Sequence, residues 1–314
     1  MGALTLLVTG GAGFVGRAAI AEALRRGHRV ATLVRGPERA AALRRALPDV
    51  EVREGDLTAA PGALAAAAQA ADCVIHCAGT LGGDHGRDTG AATTALLDAL
   101  PEGGKLVHVS SIAVHDFAAP APGTILDETA PLESRPETRD AYAAAKIAQE
   151  RAVVAAAERK GLRLTLLRPG AIFGPGRLWH AHLGKRIGPV LLRFGRSGQI
   201  PLAHIDLTAA ALVAAAERPA TDPVIVVGED LPDRLRFLAA LEHGPRLIVP
   251  LPQALLAPVQ SLGTRAARYR PFGFDNARLR EALGVRDGRS FEQLMRDAQR
   301  AETQRAATLR AEAP

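Results

Sequence analysis

The chain has 314 residues, 47% hydrophobic and 23% charged, which is soluble globular usage with material for one large domain or two modest ones. Its 39 basic and 33 acidic residues leave a net charge of +6, yet the arginines are scattered through helical stretches with no basic run interleaved with aromatics. A nucleic-acid partner is therefore set aside, the mild positive field suiting a phosphorylated cofactor or an anionic substrate, and two cysteines, Cys73 and Cys77, exclude a disulfide framework and fall short of a zinc site.

The opening "MGALTLLVTGG" is apolar but lacks a basic leading segment and runs into a glycine-rich turn, so the reading is a cytoplasmic protein without a signal peptide. Strands are predicted at "LTLLVT", "HRVATLV", "VEVRE", "CVIHCA", "KLVHVS" and "LRLTLLR", with alanine-rich helical runs between them in the spans of roughly 15–45, 61–71, 88–99 and 140–160. Repeated β-then-α units predict an α/β fold with a doubly wound parallel sheet, covered on both faces and joined by right-handed crossovers.

After "LLRPGAIFGPG" the pattern loosens into loops and short helices, and then "HIDLTAAALVAAAERP" and "PVIVVG" read as one more helix and strand of the first layer. The apolar stretch from Leu247 to Gly263 contains three prolines, is too broken to span a bilayer and reads as a core or pocket-lining segment. No internal repeat stands out.

In "LLVTGGAGFVGRAAIAEALRRG" the glycines at 10, 11, 13 and 16 lie between a predicted strand and a predicted helix. Gly10 and Gly11 suit a turn open to positive φ, Gly13 allows a close backbone approach to a pyrophosphate, and Gly16 lets helix and strand pack together. The helix N-terminus then offers its unpaired N–H groups to phosphates.

At the end of the second strand, where an NAD site places an acid on the ribose, the chain has Val34 and Arg35. A guanidinium grips a 2′-phosphate through charge-assisted hydrogen bonds worth roughly 1.5–3 kcal/mol each, so NADP(H) is favoured, with NAD the alternative.

Two serines end the strand "KLVHVS" at the edge where ligands of open α/β sheets bind, and "DAYAAAK" stacks Lys146 one helical turn after Tyr142. With "TGGAGFVG", "GDL", "VIHCAG", "VSS", "YxxxK", "LRPGAIFGPG" and "HIDL" in this order, nearly the whole chain resembles the extended short-chain dehydrogenase/reductase superfamily, NAD-dependent epimerase/dehydratase-like.

The pattern of strands and helices predicts a dinucleotide-binding Rossmann domain at 1–170 plus 206–228. It also predicts a smaller, discontinuous substrate-binding domain at 171–205 plus 229–295, followed by a polar tail at 296–314. The resemblance implies that Ser111 donates a hydrogen bond to a reacting oxygen, that Tyr142 exchanges its proton, and that Lys146 holds the nicotinamide ribose and lowers the tyrosine pKa. Asp56 and Leu57 would approach the adenine, Phe14 and Val15 would follow the glycines, and Ala78, Gly79 and Ser110 would pass along the cofactor, with Pro169 and Ile172 shaping its nicotinamide end.

Departures from the family pattern are His115 and Asp116 after the serine strand and Thr89 where relatives often have an asparagine, which puts a proton relay there in doubt. No Thr-Asp-Glu set accompanies the site, which disfavours dehydration. His180 and His182 read as loop histidines rather than a metal site, His76 and His108 as satisfied core residues, and His204 as a joint between the domains.

The preferred expectation is an NADP(H)-dependent oxidoreductase interconverting a secondary alcohol and a ketone, with a weak hint of an apolar, hydroxysteroid-like substrate. One alternative is a nucleotide-sugar epimerase with bound NAD, its diphosphate gripped by Arg265, Arg268 or Arg270, which otherwise form a solvated face. Another is a catalytically silent NADP-binding sensor. The alanine-rich face from Ala141 to Ala157 would permit a homodimer, and a monomer stays open.

Overall fold

The structure, a computed structural model, describes residues 2–79, 86–195, 197–251 and 267–311. Its first part runs β1 (Thr5–Thr9), α1 (Phe14–Arg25), β2 (Arg29–Val34), α2 (Pro37–Ala46), β3 (Glu51–Glu54), α3 (Pro61–Gln69), β4 (Cys73–His76), α4 (Ala92–Ala99) and β5 (Lys105–Val109). The short β6 (Ile125–Leu126) leads to α5 (Ala141–Lys160) and β7 (Arg163–Pro169). Next come β8 (Ala171–Phe173), β9 (Lys185–Ile187), β10 (Val190–Phe194), β11 (Leu202–His204), α6 (Ile205–Glu217) and β12 (Val224–Val226). The chain ends with α7 (Arg234–Ala239), β13 (Leu247–Leu251), β14 (Gly273–Phe274), α8 (Ala277–Leu283) and α9 (Phe291–Ala311).

Seven strands form a parallel sheet in the order β3-β2-β1-β4-β5-β7-β12, the doubly wound arrangement expected from the sequence. The order reverses between β1 and β4, which opens a crevice at their C-terminal ends. Side-chain alternation divides the apolar strands between two cores. Leu6, Val8, Ile75, Val107 and Leu167 face the layer that includes α1 and α6, while Leu7, Val74, Leu106 and Leu166 face α3, α4 and α5. Each large side chain buried this way contributes roughly 1.5–3 kcal/mol. In α6 the buried Ala209, Ala211, Ala214, Ala215 and Ala216 allow close packing, and β12 extends the sheet beyond β7, as "HIDLTAAALVAAAERP" and "PVIVVG" suggested.

A third apolar cluster collects five of the chain's eight phenylalanines, at 117, 173, 237, 272 and 291. Over 171–205, where loops and short helices were expected, the chain forms four strands of three to five residues, too short for a period-two pattern to stand out. Helix α9 docks Phe291, Leu294, Met295 and Ala298 at i, i+3, i+4 and i+7. The polar tail expected from 296 therefore begins inside a packed helix. From the stretch Leu247 to Gly263 the first five residues are β13, with Leu247 exposed, and the remainder lies outside the described residues. No helix among the described residues is long and apolar enough to cross a membrane.

One buried ion pair ties α5 to the sheet. Arg168 on β7 donates to Glu150 on α5 at 2.6 Å, both side chains being at most 7% exposed, and the Ser110 hydroxyl donates to the same carboxylate. Arg168→Met removes the cation and leaves a buried carboxylate unpaired, which costs about 3–5 kcal/mol. Urea denaturation should show a loss of that size, whereas a loss under about 1 kcal/mol would mean that Glu150 has reached water or another donor.

Candidate active site

The turn between β1 and α1 is shaped by crowding. Gly10 sits at φ +72°, and a Cβ there would lie 2.9 Å from the Ala78 nitrogen, so both conformation and space require glycine. A Cβ on Gly16 would fall 2.2 Å from the Gly10 carbonyl oxygen. Gly11 has no positive φ, contrary to expectation; it is small because a Cβ would meet the Thr32 hydroxyl at 2.4 Å. Gly13 opens α1 without a side-chain cap, leaving the first helical N–H groups directed at the cleft.

This cleft, about 480 Å³, is lined by Gly10, Gly11, Gly13, Phe14, Val15, Gly16, Arg35, Asp56, Leu57, Ala78 and Gly79, all proposed from the sequence. Arg35 is half exposed and lies 3.6 Å from the Asp56 carboxylate. That carboxyl is held below its ordinary value first by the Thr58 backbone N–H and then by the Thr58 hydroxyl, so it carries full charge beside Arg35. Sequence reasoning passed over Arg39, which lines the same cleft from the first turn of α2; its four-residue spacing from Arg35 in "RGPER" was the available signal.

A second cavity of about 380 Å³ adjoins the first, and Val15, Cys77, Gly79 and Arg177 line both. Ser111, Tyr142, Lys146, Pro169 and Ile172 meet here. Ser111 caps the short turn after β5, its hydroxyl accepting from the Ala113 N–H at 3.1 Å, and it is hydrogen-bonded to the Tyr142 hydroxyl. Tyr142 stands in the first turn of α5, whose N-terminus is capped by Asp140 accepting from the Ala143 N–H.

Burial pushes the Tyr142 phenol above its ordinary value, with the Asp140 charge adding to the rise while the Ser111 hydrogen bond and the Arg177 charge oppose it. The lowering expected from Lys146 does not win in this arrangement, because the lysine is turned inward. Its Nζ donates to the Val109 carbonyl at 2.9 Å and to the Gln149 amide oxygen at 2.8 Å. Burial pushes that ammonium down to about 8, against the raising effects of Cys77 and Glu150.

The Ser110 hydroxyl, expected along the cofactor, is committed to Glu150. His115 is buried above the same ion pair, its ring pushed down to about 4 by burial and then by the Arg168 charge, with Nδ1 at 3.0 Å from the Ala130 carbonyl. Asp116 caps a loop turn by accepting from the Ala118 N–H at 2.7 Å. His76 is satisfied as expected, but neither ring nitrogen of its stacking neighbour His108 has a partner among the described residues. His204 caps α6 by accepting from the Asp206 N–H and sets its ring against Phe173.

His180 and His182 line the second cavity with Trp179, their rings 5.8 Å apart. Burial and then the Arg234 charge push His180 down to about 3, so its ring is neutral at physiological pH, and neither of its nitrogens has a hydrogen-bond partner among the described residues. No group of three or more His, Cys, Asp or Glu among the described residues could hold a metal. The arginines read as a solvated face are mostly engaged: Arg268 pairs with Asp140, Arg270 donates to the Phe117 and Ala118 carbonyls, and Arg265 lies outside the described residues. Burial pushes both thiols up to about 12, so Cys73 and Cys77 stay protonated.

The buried lysine has a pH signature. In the unfolded chain its pKa is near 10.4, so between about 8 and 10 the unfolded state binds more protons than the folded one, and stability rises with pH. The wild type should therefore gain stability relative to Lys146→Met between pH 7 and pH 10 in paired denaturation curves, and parallel curves across that window would show that the ammonium is hydrated.

Residues 6–228 match the NAD dependent epimerase/dehydratase family. A 3 beta-hydroxysteroid dehydrogenase/Delta 5-->4-isomerase of Mycobacterium tuberculosis, from strains CDC 1551 / Oshkosh and ATCC 25618 / H37Rv, is 36% identical over 185 residues, 54% of this chain and 48% of the relative. The chain thus spans about half the length of the curated relatives it matches. A UDP-glucose-4-epimerase from Stenotrophomonas maltophila, solved with bound NAD and formylated UDP-arabinopyranose, superposes with a TM-score of 0.75 at 18% identity over 97% of this chain and 99% of that one. Vestitone reductase from alfalfa gives 0.70 at 20% identity, over 96% and 99%. These likenesses carry the fold, and the match over 6–228 bears out the resemblance drawn from the glycine turn and the serine, tyrosine and lysine segments. The chain belongs to the NAD dependent epimerase/dehydratase family.

Proposed function

We propose that this chain is an NADP(H)-preferring oxidoreductase that interconverts a secondary alcohol and a ketone. The observation that carries this is the hydrogen-bonded pair of Ser111 and Tyr142 hydroxyls in a mainly apolar cavity beside the glycine-lined cleft. The cleft suits a dinucleotide: the space at Gly10 and Gly16 tolerates no Cβ, and uncapped N–H groups of α1 face it. Bound there, the nicotinamide cofactor supplies or accepts the hydride. Ser111 donates a hydrogen bond to the substrate oxygen as negative charge develops on it, and Tyr142 delivers its proton to the same oxygen during reduction. A raised phenol pKa keeps Tyr142 protonated and ready to donate. Lys146 is read as the residue that holds the nicotinamide ribose.

Two cations at the mouth of the cleft, Arg35 and Arg39, support a 2′-phosphate, although a phosphate there has to compete with Asp56 for Arg35. The substrate is read as largely apolar and uncharged, consistent with the cavity's apolar floor at Ile112, Phe117 and Ile172 and with the name of the mycobacterial relative. Segments 171–205 and 229–295 are read as the substrate-binding unit because Trp179, His180, His182 and Arg268 reach the cavity from them. The second reading, a nucleotide-sugar epimerase holding NAD, is favoured by the NAD-bound epimerase fold neighbour. It is weakened by the engagement of Arg268 with Asp140 and of Arg270 with two carbonyls, which leaves them poorly placed to grip a diphosphate.

With a ketone substrate found by screening NADPH oxidation, Tyr142→Phe should lower kcat/KM by about a hundredfold to ten-thousandfold. Arg35→Ser should weaken NADPH binding by about tenfold to a hundredfold in fluorescence titrations and leave NADH within a factor of about two. Tighter binding of NADH than of NADPH by the wild type would overturn the cofactor assignment and move the search to sugar nucleotides.

A further inference from the structure

Building on the assignment of Lys146 to the cofactor ribose, we propose that Gln149 is its positioning residue, holding the ammonium at the junction of the two cavities and being itself locked in place by α4 and the segment after β4. Gln149 follows Lys146 by three residues on α5, and its amide oxygen accepts from Nζ at 2.8 Å. The amide nitrogen donates to the Thr93 hydroxyl at 2.7 Å and to the Ala78 carbonyl at 3.3 Å. A glutamine amide has two nearly equivalent orientations, but the lysine is only a donor and the Ala78 carbonyl only an acceptor, so one orientation alone satisfies both.

The anchor is fixed in turn. Thr93 donates its own proton to the Thr89 carbonyl at 2.6 Å, so its lone pairs face Gln149 and the His76 Nε2, 3.1 Å away. His76 completes the chain through Nδ1 to the Thr9 hydroxyl at 2.6 Å. Thr9, His76, Thr93, Gln149 and Lys146 are all at most 8% exposed, so none of these bonds can be exchanged readily for water. With one ammonium N–H on Gln149 and one on the Val109 carbonyl, the third is left for the cavity that Lys146 lines. Position 89, where relatives often have an asparagine, gives its backbone carbonyl to this array.

The test is an NMR titration of lysine ammonium signals in 15N-lysine-labelled protein, practical because the chain has lysines only at 105, 146, 160 and 185. Lys146→Arg assigns the signal. The charged or titratable groups facing Lys146, namely the Cys77 thiol, the Glu150 carboxylate and the neutral His76 and His108 rings, are the same in every variant, so a shift reports on residue 149.

Gln149→Leu should lower the Lys146 pKa by about one to two pH units and weaken NADPH binding, with far-UV circular dichroism unchanged. Thr93→Val, which loosens the anchor without touching the lysine, should move it in the same direction by less. Gln149→Glu, which keeps an acceptor and adds charge, should return the pKa to the wild-type value or above. A folded Gln149→Leu protein with the Lys146 signal and pKa unchanged overturns the proposal, and if that variant does not fold, Thr93→Val and Gln149→Glu decide it by the same readout. The titration needs no turnover, so it stands even if no ketone is reduced, while an unmoved lysine in an active reductase removes Gln149 alone.

Discussion

The buried pair of Arg168 and Glu150 governs where α5 can sit, and α5 carries Tyr142, Lys146 and Gln149. Two charges taken out of water attract strongly only at short range and in good geometry, so such a pair tolerates little sliding. Ser110 binds the same carboxylate, which joins the end of β5 to the middle of α5 and sets the Ser111 hydroxyl beside Tyr142. The fold thus uses a costly, highly directional contact where apolar packing alone would leave a helix of small residues free to shift. That helix is poor in grip: its buried face holds Ala143, Ala156 and Ala157 with only Ile147 and Val153 as larger apolar groups.

Around the second cavity the same logic of local neutralisation recurs. Arg139 is held by Glu133 and two backbone carbonyls, Arg268 by Asp140, and Arg234 by the carbonyls of His182, Ser197 and Arg268. Positive residues therefore frame a chamber whose lining combines apolar side chains and neutral imidazoles with Ser111, Tyr142 and Lys146. In the cleft beside it the balance differs, with Arg35 and Arg39 close to solvent and one carboxylate, Asp56, to answer them.

The glycine turn, the strands of the sheet and the Ser, Tyr and Lys segments were legible in the sequence because each depends on neighbours within a turn or two of chain. Gly11 was misread because its constraint comes from Thr32 on the next strand, not from its own backbone. Arg268 and Arg270 were taken for a solvated face because helical spacing says nothing about a partner more than a hundred residues away. His108 passed for a satisfied core residue because the fate of its two nitrogens is decided across the sheet. Gln149 and Arg177 carried no motif at all. Short strands such as β8 and β11 were hidden for a different reason, since they are held by register with each other and not by a pattern of their own.

Arg177 stands at the common wall of the two cavities, its guanidinium 4.8 Å from the centre of the Phe14 ring at the start of α1. A cation stacked on a ring has a weak tether and a long reach, so charge entering either cavity acts on it. Linkage sets the rule for any such coupling: whatever factor a ligand in one cavity imposes on affinity in the other must be returned in the opposite direction. A two-chambered site that shares a cation places the ligands of both chambers in the field of the same charge.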